Sequence, residues 1–297
     1  MNTKVITKAL RRNISTIAKI WEKILCYNLV LLITPCYFIF EMSVVRPTIV
    51  TYYNIGTLKH TLHIICSTFC FVNVVGNMIY SIATDTTAKP TMQSDSYCEI
   101  CKIKRPANAW HCKTCNVCIL KRDHHCFFFS RCIGLRNQRY YVLYLGYVLI
   151  SMIYSLYYNY YYVLTKFGDD NMVLSAFRVI NPFLRYLIPE PLGIGDLYMF
   201  FLFLNTGLVI WSGGLFYFHM MNVLRGLSAH EFRKDLSVDR GMMKTNFVSV
   251  FGVKWYWAII LPFVESPLPE DVDIKCVISL KKPAKCDNSK IMMHNNK

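Results

Sequence analysis

Apolar and polar positions alternate along this chain in long blocks rather than in a fine period. Four apolar runs cover residues 24–45, 62–83, 140–164 and 197–221. Each reaches the ~20 residues that a helix needs to cross ~30 Å of hydrocarbon. Backbone N–H and C=O groups in lipid must be satisfied within the segment, so the runs are read as transmembrane helices. The polar blocks 46–61 and 165–196 are too short to form domains, and Pro182, Pro189, Pro191, Gly193 and Gly195 make the second turn-rich. A further apolar segment from Phe247 to Val264 is shorter and contains Lys254. It is expected to pack against the membrane-facing side of a cytosolic module or lie in the interface, rather than to span.

Composition supports a membrane protein: 54% of the 297 residues are hydrophobic and mean hydropathy is +0.29. The charges orient it. Six Lys or Arg precede the first run, ten lie between the second and third, and twelve follow the fourth. The block 46–61 holds only Arg46 and Lys59, and in 165–196 three basic residues face four acidic ones. This bias puts both termini (1–23 and 222–297) and the loop 84–139 in the cytosol. The net charge of +15 then belongs beside anionic membrane lipid and is not a nucleic-acid footprint.

The cytosolic loop carries the chemistry. From Cys98 to Cys132 it holds seven of the thirteen cysteines and three of the eight histidines. Cytosolic thiols stay reduced, so such clustering points to metal binding or catalysis rather than disulfides. The pairs Cys98-x2-Cys101 and Cys112-x2-Cys115 are knuckle-type spacings, and soft thiolates with imidazoles suit tetrahedral zinc. Two closed sites need eight ligands, which six cysteines and two histidines supply. One cysteine and one histidine are left over beside Asp123, a surplus that a structural module does not need and a cysteine nucleophile does. Spacing does not say which histidine is spare. In an extended stretch alternate side chains point to opposite sides, which suits His125 on zinc and His124 on the face of Cys126. The loop has little apolar core of its own, so zinc must supply folding energy that burial cannot.

Asp123-His124-His125-Cys126 within this cysteine pattern closely resembles the DHHC-type protein S-acyltransferases, the palmitoyltransferases. The resemblance implies an all-α membrane protein: four transmembrane helices with a cytosolic two-zinc cysteine-rich module between helices 2 and 3. It implies one zinc on Cys98, Cys101, His111 and Cys118 and a second on Cys112, Cys115, His125 and Cys132. It makes Cys126 the nucleophile, His124 its base and Asp123 the group that orients His124. The implied reaction moves a long-chain acyl group from acyl-CoA, the co-substrate, through Cys126 to cysteines of protein substrates. Lys121, Arg122, Arg136 and Arg139 are candidates for the CoA phosphates, and the endoplasmic reticulum or Golgi is the expected membrane.

The chain departs from the family pattern in places. Phe127 and Phe128 replace Pro-Trp after the cysteine, and Arg131 replaces an asparagine. Ser228-Ala229-His230-Glu231 stands for Thr-Thr-x-Glu, so Ala229 lacks a hydroxyl whose bond toward Asp123 would be worth about 1 kcal/mol. Asp239-x-Gly241 and the stretch from Asn246 to Val250-Phe251-Gly252 resemble the family's C-terminal elements. These departures also suit a second reading, a catalytically weak or inactive membrane-tethered zinc-binding scaffold.

Overall fold

The computed structural model describes residues 3–91, 96–106, 108–167, 172–181, 183, 193–233 and 243–269. Four helical segments are long and apolar enough to cross a membrane: 16–52, Thr57–Ala83, Gln138–Phe167 and Ile194–Leu224. The expected architecture holds, with a Cys/His-rich module between the second and third. The protein is an integral membrane protein.

The first segment is one interrupted helix. α1 (Thr3–Asn28) leads through a π-turn (Leu29–Ile33) into α2 (Thr34–Phe40), and a second π-turn (Glu41–Val45) leads into α3 (Arg46–Tyr52). Each π-turn stands just upstream of a proline, Pro35 or Pro47, whose missing N–H breaks the hydrogen-bond ladder. Neighbouring side chains bond carbonyls near each break: Thr34 Oγ1 donates to Leu29 O at 2.8 Å and Arg46 Nε to Met42 O at 3.0 Å. That is how proline is tolerated in lipid.

α4 (Thr57–Ala83) and α5 (Gln138–Phe167) pack against each other, and α5 packs in turn on α7 (Ile194–Leu224). A short helix, α6 (Met172–Ile180), lies against α7. The module between α4 and α5 is three antiparallel hairpins: β1 (Tyr97–Cys98) with β2 (Ile103–Lys104), β3 (Ala109–Cys112) with β4 (Val117–Leu120), and β5 (His124–Cys126) with β6 (Arg131–Ile133). Buried Asn137 holds it to the bundle, donating to Ser81 O at 2.9 Å and Cys132 O at 3.1 Å.

After α7 come α8 (Ala229–Phe232), α9 (Met243–Phe251) and α10 (Trp255–Ile260). Asp239-x-Gly241 lies outside the described residues, as does the tail from 270. The apolar segment beyond Phe247 is neither a span nor confined to the module. Tyr147 of α5 donates to Ile259 O at 2.7 Å, and a Cβ on Gly76 would come within 2.5 Å of Pro262, so the segment wedges against α4 and α5. The main core forms where module, α5, α7 and α9 meet, around Phe129, Ile133, Val142, Val223, Val250 and Phe251.

Candidate active site

The two knuckles are built alike. Cys98 and Cys112 each end a strand, and each sulfur accepts a backbone N–H three residues on, from Cys101 and Cys115, at 3.4 Å. Each turn closes on a residue with positive φ, Lys102 or Asn116. Around the first knuckle gather Cys98, Cys101, His111 and Cys118; around the second, Cys112, Cys115, His125 and Cys132. His111 Nδ1 lies 3.2 Å from Cys101 Sγ and 3.7 Å from Cys98 Sγ, and His125 Nδ1 stands 3.2, 3.8 and 3.7 Å from the sulfurs of Cys115, Cys112 and Cys132. Ligands tetrahedrally around zinc at about 2.0–2.3 Å would stand about 3.5–3.8 Å apart. The protonation pattern of His125 fits as well. Its Nε2 donates to Glu22 Oε2 at 2.9 Å, which leaves the Nδ1 lone pair toward the sulfurs. The two clusters fit two zinc ions.

In the sequence Glu22 is the single acidic residue of 1–23, among six basic ones. It lies on α1, 103 positions away, and its carboxylate braces a zinc-site histidine in the way that outer partners fix ligand orientation. No local spacing announces it.

β5 turns His125 toward the second cluster, while Asp123 and His124 meet on another side. Asp123 Oδ2 accepts from His124 Nδ1 at 2.7 Å and stands 3.4 Å from Nδ1 of His219 on α7, and Oδ1 accepts the backbone N–H of Ala229 at 2.6 Å. Burial by itself would raise the Asp123 carboxyl, but the two histidines outweigh it and hold it well below the usual carboxylate range. An ionised carboxylate only accepts, so His124 carries its proton on Nδ1. Its Nε2 makes no hydrogen bond among the described residues. His219 is a second group that the sequence reading missed, for it lies in an otherwise apolar helix.

Ala229 bears on the departure noted above. Ser228 and Glu231 form a capping box, with Ser228 N donating to Glu231 Oε2 at 2.9 Å and Glu231 N to Ser228 Oγ at 3.2 Å. That box sets the first turn of α8 so that the Ala229 N–H points at Asp123. The backbone therefore supplies a bond here whatever side chain stands at 229.

Cys126 is buried. Burial pushes its thiol up to about 11, against the pull of the Phe129 and Phe128 backbone N–H groups on the sulfur. No hydrogen bond joins it to His124 among the described residues. It opens onto a cavity of about 540 Å³ lined by the four spans. Phe128, Phe129, Tyr141 and Trp211 line the cavity near Cys126, and Tyr37, Glu41 and Ser155 line it toward α3. The second part is polar: Glu41 Oε1 accepts from Ser155 Oγ at 2.6 Å and Asn159 Nδ2 at 2.8 Å, and Asn205 Nδ2 donates to Tyr37 Oη at 2.8 Å. Phe128 packs edge-on against Trp211 of α7, with ring centres 5.8 Å apart.

The basic candidates divide. Lys121 and Arg139 are buried. The Arg139 guanidinium donates to Ser266 O at 3.0 Å and Val264 O at 3.3 Å and stacks on Tyr140, so it anchors the C-terminal segment. Arg122 is half-buried and Arg136 exposed. Arg131, one of the departures, pairs with Asp85 at 3.6 Å and donates to Ile82 O, tying β6 to the end of α4.

Comparison with known proteins agrees with this geometry. Residues 91–236 match the family model described as DHHC palmitoyltransferase. The chain is 30% identical to the probable palmitoyltransferase ZDHHC24 of Homo sapiens over 234 residues, which is 73% of this chain and 79% of that protein. It is 32% identical to palmitoyltransferase ZDHHC22 of Danio rerio over 224 residues, 67% of this chain and 75% of that protein. With four membrane-spanning helices, two Cys/His clusters and these relatives, the chain belongs to the DHHC palmitoyltransferase family and is a protein S-palmitoyltransferase.

Proposed function

We propose that the chain transfers a long-chain acyl group from acyl-CoA to cytosolic cysteines of proteins through an acyl-enzyme on Cys126. The observation that carries this reading is a buried thiol at one end of a long apolar cavity, with an Asp–His pair in the same hairpin. In the first step the Cys126 sulfur attacks the thioester carbonyl carbon of acyl-CoA. The Cys126 proton passes to His124 Nε2, the imidazole nitrogen left uncommitted. The carbon–sulfur bond to CoA breaks, and the CoA thiolate takes that proton as it leaves. In the second step the thiol of a protein cysteine attacks the same carbonyl, loses its proton to His124, and Cys126 is released as the thiol. One thioester replaces another each time, so the work lies in nucleophile activation and positioning.

Asp123 holds His124 in the Nδ1–H tautomer and stabilises the imidazolium that forms. His219 and the Ala229 N–H hold Asp123. The backbone N–H groups of Phe128 and Phe129 favour the thiolate over the thiol. Two zinc ions on the eight Cys/His ligands hold the hairpins in register, and no chemical step passes through them. The acyl chain lies along the cavity toward Tyr37 and Ser155, about 21 Å from the level of Tyr141 at the α-helical rise. The CoA phosphates stay in the cytosol near Arg122 and Arg136. Both termini share that side, in endoplasmic reticulum or Golgi membrane.

The test is self-acylation of purified protein with a clickable long-chain acyl-CoA, wild type beside Cys126→Ser, followed by hydroxylamine. A hydroxylamine-labile label in wild type alone is expected. Absence of label from folded, zinc-loaded wild type would overturn the acyl-enzyme and leave the scaffold reading.

A further inference from the structure

The membrane face opposite the zinc module carries a feature that acyl transfer does not use. α3 ends and α4 begins there, at the ends farthest from the module. A second cavity of about 260 Å³ opens between them and α5. Of the block 46–61, both basic residues, Arg46 and Lys59, line it, together with His60. The positive-inside rule leaves this side poor in cations, yet those present converge on one cavity.

No acidic residue lines the cavity, and neither Arg46 nor Lys59 makes an ion pair among the described residues. The nearby acid Glu41 turns into the other cavity, where Ser155 and Asn159 hold it. Arg46 donates through Nε to Met42 O, and one Nη1 proton is held by His60 Nε2, so that ring nitrogen is an acceptor. The remaining guanidinium N–H groups have no partner among the described residues. Two cations sharing a small cavity without a counter-charge repel each other unless an anion joins them. The walls are phenolic: Tyr53, Tyr158 and Tyr161 line the cavity, and the Tyr53 and Tyr161 rings meet edge to face at 5.6 Å. Tyrosine at the membrane–water boundary has its apolar ring in lipid and its hydroxyl at headgroup level. Arginine, ammonium and phenol donors together are suited to phosphate oxygens.

We propose that this cavity binds the phosphate of an anionic phospholipid headgroup, from the leaflet opposite the zinc module. The lipid source follows from position, because the cavity opens at the membrane boundary among exposed apolar side chains such as Tyr52 and Leu58. His63 and Tyr158 line both this cavity and the acyl cavity. His63 Nδ1 bonds Tyr154 Oη at 2.7 Å, so a headgroup here would sit behind the polar wall of the acyl cavity.

The test measures binding of short-chain phosphatidylglycerol, phosphatidylcholine and inorganic phosphate to the full-length protein in detergent, by native mass spectrometry and thermal shift. Wild type is compared with Arg46→Gln/Lys59→Gln and with the charge-keeping Arg46→Lys/Lys59→Arg. We expect saturable binding of phosphatidylglycerol to wild type. The charge-neutral double variant should bind about a hundredfold more weakly, at about tenfold per charge-assisted contact removed. The charge-keeping variant should lose far less. Unchanged zinc content reports folding. Should the neutral double variant misfold, Lys59→Gln alone, at an exposed position, should still bind about tenfold more weakly. Equal binding by the neutral variants, or equal binding of phosphatidylcholine, would overturn the proposal. Inorganic phosphate stabilising wild type where phosphatidylglycerol does not would overturn the lipid source.

Discussion

The two Cys/His clusters are near copies in geometry and unlike in surroundings. In each, a Cys-x2-Cys knuckle closes on a positive-φ residue and the histidine Nδ1 stands 3.2 Å from the nearer sulfur. The first cluster sits out in the module beside small residues such as Ala88 and Ala109. The second shares β5 with His124 and Cys126 and reaches α1 through Glu22. Equal coordination chemistry can therefore carry unequal duties: the first cluster folds the module, while the second also fixes the strand that carries His124 and Cys126.

Breaking the second cluster should have the largest effect. His125→Ala removes a ligand and releases β5, so we expect loss of one zinc per chain by metal analysis and self-acylation below detection. His111→Ala should also lose one zinc but leave a measurable residual rate. Equal residual rates in the two variants would contradict the unequal duties.

Asp123→Asn comes next. Asparagine keeps the shape but cannot fix the His124 tautomer, so the acylation rate should fall by roughly a thousandfold with zinc content unchanged. Normal turnover in that variant would remove Asp123 from the mechanism.

Glu22→Gln should be milder. It keeps the size but replaces a charged acceptor, and outer-shell partners of this kind are worth about 10- to 100-fold in metal affinity. Competition with a chelator should show one site weakened and the other unmoved. Weakening of both alike would mean that Glu22 acts on the whole module.

The Ala229 pair sharpens the site further. Ala229 is the first residue of α8 after its cap Ser228, which is already extended at φ −85, ψ 159. Proline is tolerated at that position, so Ala229→Pro deletes little besides the N–H to Asp123. A bond to a charged acceptor is worth about 1.5–3 kcal/mol, so acylation should fall by about ten- to a hundredfold. Ala229→Thr, which restores the hydroxyl of the family pattern, should change the rate by less than about threefold, since an N–H already bonds Asp123.

These variants separate what was legible in the sequence from what was not. The four helices were legible because lipid demands long uninterrupted apolar runs, and the knuckles because Cys-x2-Cys is a local turn. The opposed directions of His124 and His125 follow from the two-residue period of a strand. Glu22 and His219 were not legible, because each reaches the module from a separate helix and no short-range spacing encodes that meeting. The burial of Arg139 and Lys121 was not legible either, because charge in a sequence does not say whether a cation faces water, and Arg139 donates to the carbonyls of Val264 and Ser266. At Ala229 the missing hydroxyl is legible in the sequence, whereas the backbone N–H that bonds Asp123 is not, because it depends on how the first turn of α8 is set.

The most direct measurement is peptide mapping of wild-type protein quenched after a single turnover with isotope-labelled palmitoyl-CoA. One hydroxylamine-labile acyl group is expected, on the peptide that carries Cys126. Label on Cys26, a buried thiol near Cys126 outside both Cys/His clusters, or on no cysteine at all, would contradict it.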